Sequence, residues 1–235
     1  MNLTNRIFKM GLLICFSFVS IQCDDDDTQT DTAVFLGLLA ADANKRCETK
    51  IDTSYTSGSY ATLCTPQAGP GRFFRLEGMK ALGDNGYFYL FLGYSQTPTS
   101  STPSASGQYS FVAGKSVSSP NPYVWFRNLE YGNYQGGQTA SGANSTAFSF
   151  STEQELCVSF SGTTSAPTTY LWVTGVSGAN CKNTATLLKE NAVINYGSWP
   201  NSGNVLSTIG QSFFRFSNVS LLTASKIVVS SESVL

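Results

Sequence analysis

RFFRLEGMKALGDNGYFYLFLGYS, residues 72–95, is the stretch that decides the fold class. Apolar and polar side chains alternate on both sides of GDNG, and a period of two is typical of β-strands with one buried face. In the second half, Phe88, Leu90 and Leu92 share one face while Tyr89 lies on the other. Asn-Gly accepts the positive φ angles of a tight turn, so we expect the two halves to pair as a β-hairpin.

The same alternation returns along the rest of the chain, separated by stretches rich in Gly, Ser and Pro. Further strands are expected at QYSFVA (108–113), YVWFRNL (123–129), TAFSFS (146–151), ELCVSFS (155–161), TYLWVTGV (169–176), SFFRFSNV (212–219) and KIVVSS (226–231). About nine or ten short strands with such turns favour an all-β fold, either an antiparallel β-sandwich or a jelly roll.

Four segments depart from this alternation. Three of them consist of small polar residues and are expected to be surface loops, namely QTPTSSTPSASG (96–107), KSVSSPNP (115–122) and GNYQGGQTASGANS (132–145). The fourth, TATLLKENAVINYGSW (184–199), is ambiguous. Its LLKENAV part fits a helical turn and its AVINYGSW part fits a strand, and we favour the strand.

The N-terminus has the layout of a signal peptide. Arg6 and Lys9 precede the apolar run GLLICFSFVSI at 11–21, which is too short to cross a bilayer core, since a spanning helix takes roughly 20 residues. Cys23 follows this run almost at once. Ordinary signal peptidase needs a small residue just before the cut, which Gln22 is not, whereas lipoprotein processing needs a cysteine just after it. We therefore expect cleavage before Cys23 and lipid attachment to its sulfur.

The sequence SIQCDDDD at 20–27 resembles the relaxed lipobox of spirochaetal, leptospiral-type membrane lipoproteins. These proteins tolerate bulky or polar residues before the cysteine and place acidic residues just after it. The resemblance covers residues 1–27 only. It implies a palmitate-type anchor on Cys23 in the cell envelope, at the outer membrane, with the periplasmic face and the cell surface both open as sites of display.

The remaining cysteines support export. Once Cys15 leaves with the signal peptide and Cys23 carries lipid, an even set is left, Cys47, Cys64, Cys157 and Cys181. Two disulfides fit this set, although three connectivities are open and buried free thiols are the alternative. Local pairing of the first two and the last two would contribute about 3 kcal/mol for each loop. The chain has no C-x-x-C spacing and no histidine, so we expect no metal site and no cofactor.

Charge and composition divide the chain into four parts. Residues 1–22 are the expected signal peptide, and 23–32 form an acidic tether that cannot bury apolar surface. Residues 33–65 hold an expected short helix and a disulfide-stapled segment, and 66–235 are the expected β-sandwich domain. Cleavage before Cys23 would leave 12 basic and 15 acidic residues, a net charge of −3, which argues against nucleic acid as a partner.

A recurring pattern of two aromatic residues followed by arginine suggests a binding surface. Strand alternation places the first aromatic and the arginine of each triplet on the face opposite the core. Such a face could hold a sugar or polyanion, or each arginine stem could simply cover a neighbouring ring. The candidate ligand-binding residues are Arg75, Trp125, Arg127 and Arg215 in strands and Tyr131, Tyr134 and Trp199 in loops, where the aromatics could equally plug the ends of a sandwich.

The absence of histidine removes the usual base for activating a serine or cysteine nucleophile. Paired carboxylates are the remaining route to catalysis, so a glycoside hydrolase is a second alternative. The carboxylates available for it are Glu77, Asp84, Glu130, Glu153, Glu155 and Glu190. We expect no enzyme but an envelope protein with a binding or structural role, and a carbohydrate- or host-matrix-binding module is the first alternative.

Overall fold

A computed structural model describes residues 41–51, 55–79, 86–104, 108–114, 123–128, 135–139, 153–163, 166–196, 211–217 and 225–235. The chain forms one compact unit over Ala43–Leu235 and a second over Met1–Asp42. The predicted signal peptide, the acidic tether, the GDNG turn, the loop at 115–122 and the strand at 146–151 lie outside the described residues. Of the predicted helix at 33–46, residues 41–45 are described and are helical.

Twelve strands follow this helical turn. They are β1 (Arg46–Lys50), β2 (Ala61–Thr62), β3 (Phe73–Met79), β4 (Tyr87–Tyr94), β5 (Tyr109–Gly114), β6 (Tyr123–Asn128), β7 (Gln135–Thr139), β8 (Gln154–Thr163), β9 (Ala166–Val173), β10 (Ile194–Tyr196), β11 (Gln211–Ser217) and β12 (Lys226–Ser230). Two single 3-10 turns, Thr184–Thr186 and Lys189–Asn191, lie between β9 and β10.

The strands form two antiparallel sheets of six. The first sheet has the order β1-β12-β3-β8-β9-β10 and the second has the order β2-β11-β4-β5-β6-β7. Without β6, β7, β9 and β10, the orders reduce to β1-β12-β3-β8 and β2-β11-β4-β5. The first four strands then alternate between the sheets, as in the double Greek key of a jelly roll. The predicted class, an all-β antiparallel sandwich, is confirmed.

The predicted hairpin across GDNG is wrong. β3 pairs with β12 and β8 in the first sheet, whereas β4 pairs with β11 and β5 in the second. The chain therefore passes from one sheet to the other between β3 and β4. Both strands carry alternating bulky apolar residues. This pattern fits two strands that pair within one sheet, and it fits equally well two strands that face each other from different sheets.

Three strands had no counterpart among the sequence expectations. β7 lies within the stretch 132–145, which was expected to be a loop; that expectation is wrong for Gln135–Thr139. β1 and β2, which are edge strands, lie in the segment expected to precede the sandwich. In the ambiguous segment at 184–199 both readings hold in part, because the 3-10 turns precede the strand β10.

The inward faces of the two sheets form one aromatic core. Phe88 and Phe216 of the second sheet have ring centroids 5.0 Å apart. Phe111 of the same sheet meets Phe160 of the first sheet edge to face at 6.4 Å, so the core is continuous between the layers. The buried core includes Phe74, Leu76, Phe88, Leu90, Leu92, Phe111, Leu156, Val158, Phe160, Leu171, Phe214, Phe216, Ile227 and Val229.

Both disulfides use the local pairing. Cys47 of β1 bonds to Cys64, which follows β2, with a Cα separation of 6.0 Å. Because β1 edges the first sheet and β2 edges the second, this bond joins the two layers at one side of the sandwich. Cys157 of β8 bonds to Cys181, with a Cα separation of 5.7 Å.

The Cys157–Cys181 bond fastens a covering segment, residues 174–193, to the outer face of the first sheet. Trp172 is fully buried beneath this segment and donates a hydrogen bond from Nε1 to the carbonyl oxygen of Leu188 at 2.8 Å. Phe73, Leu187 and the disulfide belong to the same buried cluster. Around Trp172 and Phe73 the first sheet is therefore apolar and covered on both faces, which strand alternation alone does not indicate.

Tyr55 protects the edge of β11 beyond the short strand β2. Its hydroxyl accepts a hydrogen bond from the backbone N–H of Phe216 at 2.7 Å and donates one to the carbonyl oxygen of Ser59 at 2.8 Å. Its ring stacks on Phe214 at 5.3 Å, and burial raises the pKa of the phenol. The Tyr55 side chain thus satisfies the backbone N–H of Phe216, which would otherwise be able to pair with a strand of another chain.

Candidate functional site

The structure separates the three aromatic–arginine triplets. Arg75 lies in β3 of the first sheet, whereas Trp125, Arg127 and Arg215 lie in β6 and β11 of the second. The loop candidates Tyr131, Tyr134 and Trp199 lie outside the described residues. Arg75 and Arg215 both point away from the shared core, so they occupy opposite outer surfaces of the sandwich and cannot contribute to one site.

Alternation within β3 and β11 is as predicted. Phe74 and Phe214 line the core, whereas Phe73 and Phe213 lie on the outer faces. Even so, Phe73 is only 5% exposed and Phe213 only 1%. Of the two alternatives left open by the sequence, the one in which these two rings share a solvated face with their arginines does not hold, because both rings are covered.

Arg75 is held in an ion-pair network on the outer face of the first sheet. Its Nη2 lies 2.7 Å from Glu77 Oε1, and its Nε lies 4.0 Å from Glu155 Oε1. Lys226 approaches Glu77 at 3.8 Å and Lys182 approaches Glu155 at 3.7 Å. Lys226 also pairs with Glu48 at 2.8 Å, so three carboxylates and three cations offset one another and Arg75 joins β3 to β8.

A groove of about 280 Å³ lies on the same face, beside the chain end at 232–234. Arg46, Glu48, Val228 and Glu232 are among the residues that line it. A hydrogen bond from Lys226 lowers the pKa of Glu48, and Lys45 pairs with Glu232 at 2.6 Å. Charges of both signs border this groove, so it has no preference for one sign of ligand charge.

Arg215 has a different environment. Its guanidinium carbon lies 5.1 Å from the ring centroid of Tyr60 and 5.6 Å from that of Tyr89, both within cation–π range. Nη1 donates a long hydrogen bond of 3.4 Å to the hydroxyl of Tyr60. Within the described part of the chain, no carboxylate pairs with Arg215. Its buried Nε has no hydrogen-bond acceptor there, a feature that the Nε of Arg75 shares. We call Tyr60, Tyr89 and Arg215 the Arg215 platform.

The platform rests on a buried aromatic floor. Phe91, Tyr94 and Phe213 form a cluster on the outer face of the second sheet. The ring of Tyr89 stacks on Phe91 with centroids 5.9 Å apart, and Tyr60 leans on Phe91 at 5.3 Å. Tyr60 and Tyr89 themselves stay partly exposed. The two tyrosines are therefore fixed from below and reachable from solvent.

Strand register connects the platform to the other predicted site residues of this sheet. Arg215 pairs with Tyr89, Tyr89 with Val112, and Val112 with Trp125. In the next row, Ser110 of β5 pairs with Arg127. Adjacent strands lie about 4.8 Å apart, so the backbone of Trp125 lies about 14 Å from that of Arg215 along one straight row.

Tyr60 and Tyr89 were not among the predicted site residues. The sequence did carry a signal for Tyr89, because alternation in YFYLFLGY places it on the face opposite the core. Tyr60 carried none, since it lies in an irregular stretch before β2 and reaches Arg215 across 155 residues of sequence separation.

Two of the carboxylates considered for glycoside hydrolysis lie near one another, and both are ion-paired. Glu77 and Glu155 flank Arg75, Glu153 and Glu190 are exposed, and the other two lie outside the described residues. Within the described ranges, no cluster of three or more histidine, cysteine or acidic residues could hold a metal ion. Nor does any helix there have the length and apolarity needed to span a membrane.

A scan against protein-family models finds none that matches the chain, and a search of curated proteins finds no match either.

Proposed function

We propose that this protein is an exported bacterial lipoprotein, anchored through Cys23 to the outer membrane, whose β-sandwich has a non-catalytic binding or structural role in the envelope. The observation that carries the proposal is how the cysteines are used. Two disulfides consume all four cysteines that follow Cys23. Disulfides persist in oxidising compartments outside the cytosol, which supports export.

Cys23 is then the one thiol of the expected mature chain without a sulfur partner. It stands at the end of the apolar run and directly before four aspartates, an acidic stretch that suits a solvated tether between a bilayer and a folded body. One acyl chain gives only marginal membrane binding, so stable anchoring needs more than one chain on the N-terminal cysteine.

Metabolic labelling tests the anchor. Cells expressing the full-length protein should incorporate labelled palmitate into it, and the Cys23→Ala variant should lose the label. Cys15→Ala is the matched control, because Cys15 lies inside the expected signal peptide, and this variant should keep the label. Equal labelling of the wild type and Cys23→Ala would overturn the proposed anchor.

A second candidate function, binding of carbohydrate or host matrix, is favoured by one specific observation. Arg215, Tyr89, Val112 and Trp125 are in register across four adjacent strands of the second sheet. Rigid aromatic residues on a sheet present stacking area at low cost in conformational entropy. Jelly rolls include lectin domains, but a fold alone does not decide function, so this candidate depends on the row of residues.

A glycan array run beside a panel of matrix proteins tests this role. The wild-type protein should bind at least one ligand, and Trp125→Ala should weaken that binding about tenfold, as expected for the loss of one stacked ring. Leu188→Ala is a suitable control, because Leu188 is exposed on the covering segment of the opposite sheet. Absence of binding to every glycan and matrix protein would exclude this second role while leaving the anchor untouched.

A further inference from the structure

We propose that the Arg215 platform binds acidic polysaccharides, that is, glycans that carry carboxylate or sulfate groups on their sugar rings. This inference rests on the second role proposed above and narrows its ligand class. It commits to a glycan rather than a matrix protein, and to a charged glycan rather than a neutral one.

The contrast between Arg75 and Arg215 carries the charge argument. Both follow a pair of phenylalanines, and both lie on an outer face of the sandwich. Arg75 faces the carboxylates of Glu77 and Glu155, which offset its charge. Arg215 faces two tyrosine rings and no carboxylate within the described residues. A ligand carboxylate or sulfate would supply the counter-charge that the described part of the protein does not.

The geometry suits a planar anion. Both tyrosine rings lie within cation–π distance of the guanidinium. Because Nε is buried, Nη1 and Nη2 are the donors left for a ligand. Of these donors, Nη1 makes only one contact of 3.4 Å, to the hydroxyl of Tyr60, and a bond of that length is weak. Arginine matches two-oxygen acceptors with a pair of parallel hydrogen bonds, and such charge-assisted bonds are roughly twice as strong as neutral ones.

The rings beside Arg215 explain why the anion should belong to a sugar. Tyr60 and Tyr89 are partly exposed, and each has an apolar face and a hydroxyl edge. A pyranose ring presents the same combination, with C–H groups on its face and hydroxyls around its rim. The backbone row of paired residues continues from Tyr89 to Val112, whose side chain is fully buried, so the surface open to a sugar is the pair of tyrosines beside Arg215.

Binding measurements with the full-length protein in detergent micelles test the inference. The probes are polygalacturonate, the same polymer fully methyl-esterified, and heparin. Methyl esterification removes the negative charge of each carboxyl group and adds one methyl group, so the ester should bind about tenfold more weakly or not at all. Heparin tests whether sulfate serves as well as carboxylate. Added salt should weaken binding of both anionic probes.

Three variants at the platform test where the ligand binds, and a fourth variant on the opposite face is the control. Arg215→Gln should weaken polygalacturonate binding about tenfold or more, and Arg215→Lys should restore only part of it, since lysine keeps the charge without the planar fork. Arg75→Gln is the matched control on the opposite face and should bind within about twofold of wild type. Thermal unfolding shows whether Arg215→Gln is folded. If it is not, Tyr60→Leu tests the platform independently, because it removes a ring that contacts Arg215 and should also weaken polygalacturonate binding.

Each possible result supports or contradicts a named part of the inference. The inference is supported if polygalacturonate or heparin binds and that binding depends on Arg215 or Tyr60. For polygalacturonate, methyl esterification should also abolish the binding. Equal binding of polygalacturonate and its ester would overturn the preference for charge but would leave a glycan-binding role standing. Binding that is equal in wild type, Arg215→Gln and Tyr60→Leu would overturn the site. If none of the three probes binds, this inference is overturned. The broader role in binding carbohydrate or host matrix is overturned only if no glycan on the array and no matrix protein binds.

Discussion

Replacing Phe88 with alanine should lower the free energy of unfolding by about 3–5 kcal/mol, the cost expected for removing a fully buried aromatic ring. Phe88 is 0% exposed and lies in β4, between β11 and β5 in the second sheet. Its ring contacts Phe216 at 5.0 Å and Phe111 at 6.3 Å. The cavity would open where these strands meet the other layer, and urea unfolding of wild type and variant measures the loss.

Leu188→Ala is the control for this measurement. Leu188 is 44% exposed, so its truncation removes little buried area and should change the free energy of unfolding by no more than about 0.5 kcal/mol. Its carbonyl oxygen, which accepts the hydrogen bond from Trp172, is retained in the variant. A loss below about 1 kcal/mol for Phe88→Ala would contradict its place at the centre of the core.

Removing the Cys157–Cys181 disulfide with a double alanine variant should cost about 3 kcal/mol, because the bond closes a loop with a sequence separation of 24. The loss should also have a local signature. The covering segment at 174–193 would be free to leave the outer face of the first sheet. Lys182 and Lys189 are exposed on this segment, so trypsin should cleave after them markedly faster in the variant.

The Cys47–Cys64 disulfide provides the matched comparison. It closes a loop with a sequence separation of 17, so its double alanine variant should lose a similar free energy of unfolding. That bond joins the sheet edges and packs against the main core rather than within the cluster under the covering segment, so early cleavage after Lys182 and Lys189 should stay at the wild-type rate. If both double variants were cleaved there equally fast, the Cys157–Cys181 bond would not be what holds the segment.

The class of fold was predictable because alternation is a local property. In β4, the side chains of Phe88, Leu90 and Leu92 enter the core, as the period of two requires. The turn signal after β3 was misread for the opposite reason. Asn-Gly favours a change of chain direction, but both neighbours of β3, namely β8 and β12, lie far along the chain, as does β11, which pairs with β4. Local sequence therefore could not decide which strands pair.

The missed strands have little apolar content of their own. In β1, RCETK, the inward positions are Cys47 and Thr49, and the outward positions are charged. Such a strand forms because β12 offers it a complete ladder of backbone partners and because Cys47 is bonded across to Cys64. β7 consists of glutamine, glycine and threonine, so neither propensity nor periodicity distinguishes it from a loop.

The candidate site was predictable in part. Alternation placed Arg75 and Arg215 correctly outside the core, but it could not tell that Glu77 and Glu155 offset one charge while tyrosines flank the other. That difference arises from β8, from the covering segment and from Tyr60, which come together only in the folded protein. Identical triplets, Phe-Phe-Arg, thus acquire different surroundings.

The position of β12 has a consequence for how the nascent chain acquires its shape. β12 inserts between β1 and β3, so β1 has no strand beside it in its sheet until residues near 230 are available. Such pairings between distant segments give a high contact order and folding times of milliseconds to seconds. A nascent chain with this strand order cannot complete the first sheet until its last strand has been synthesised.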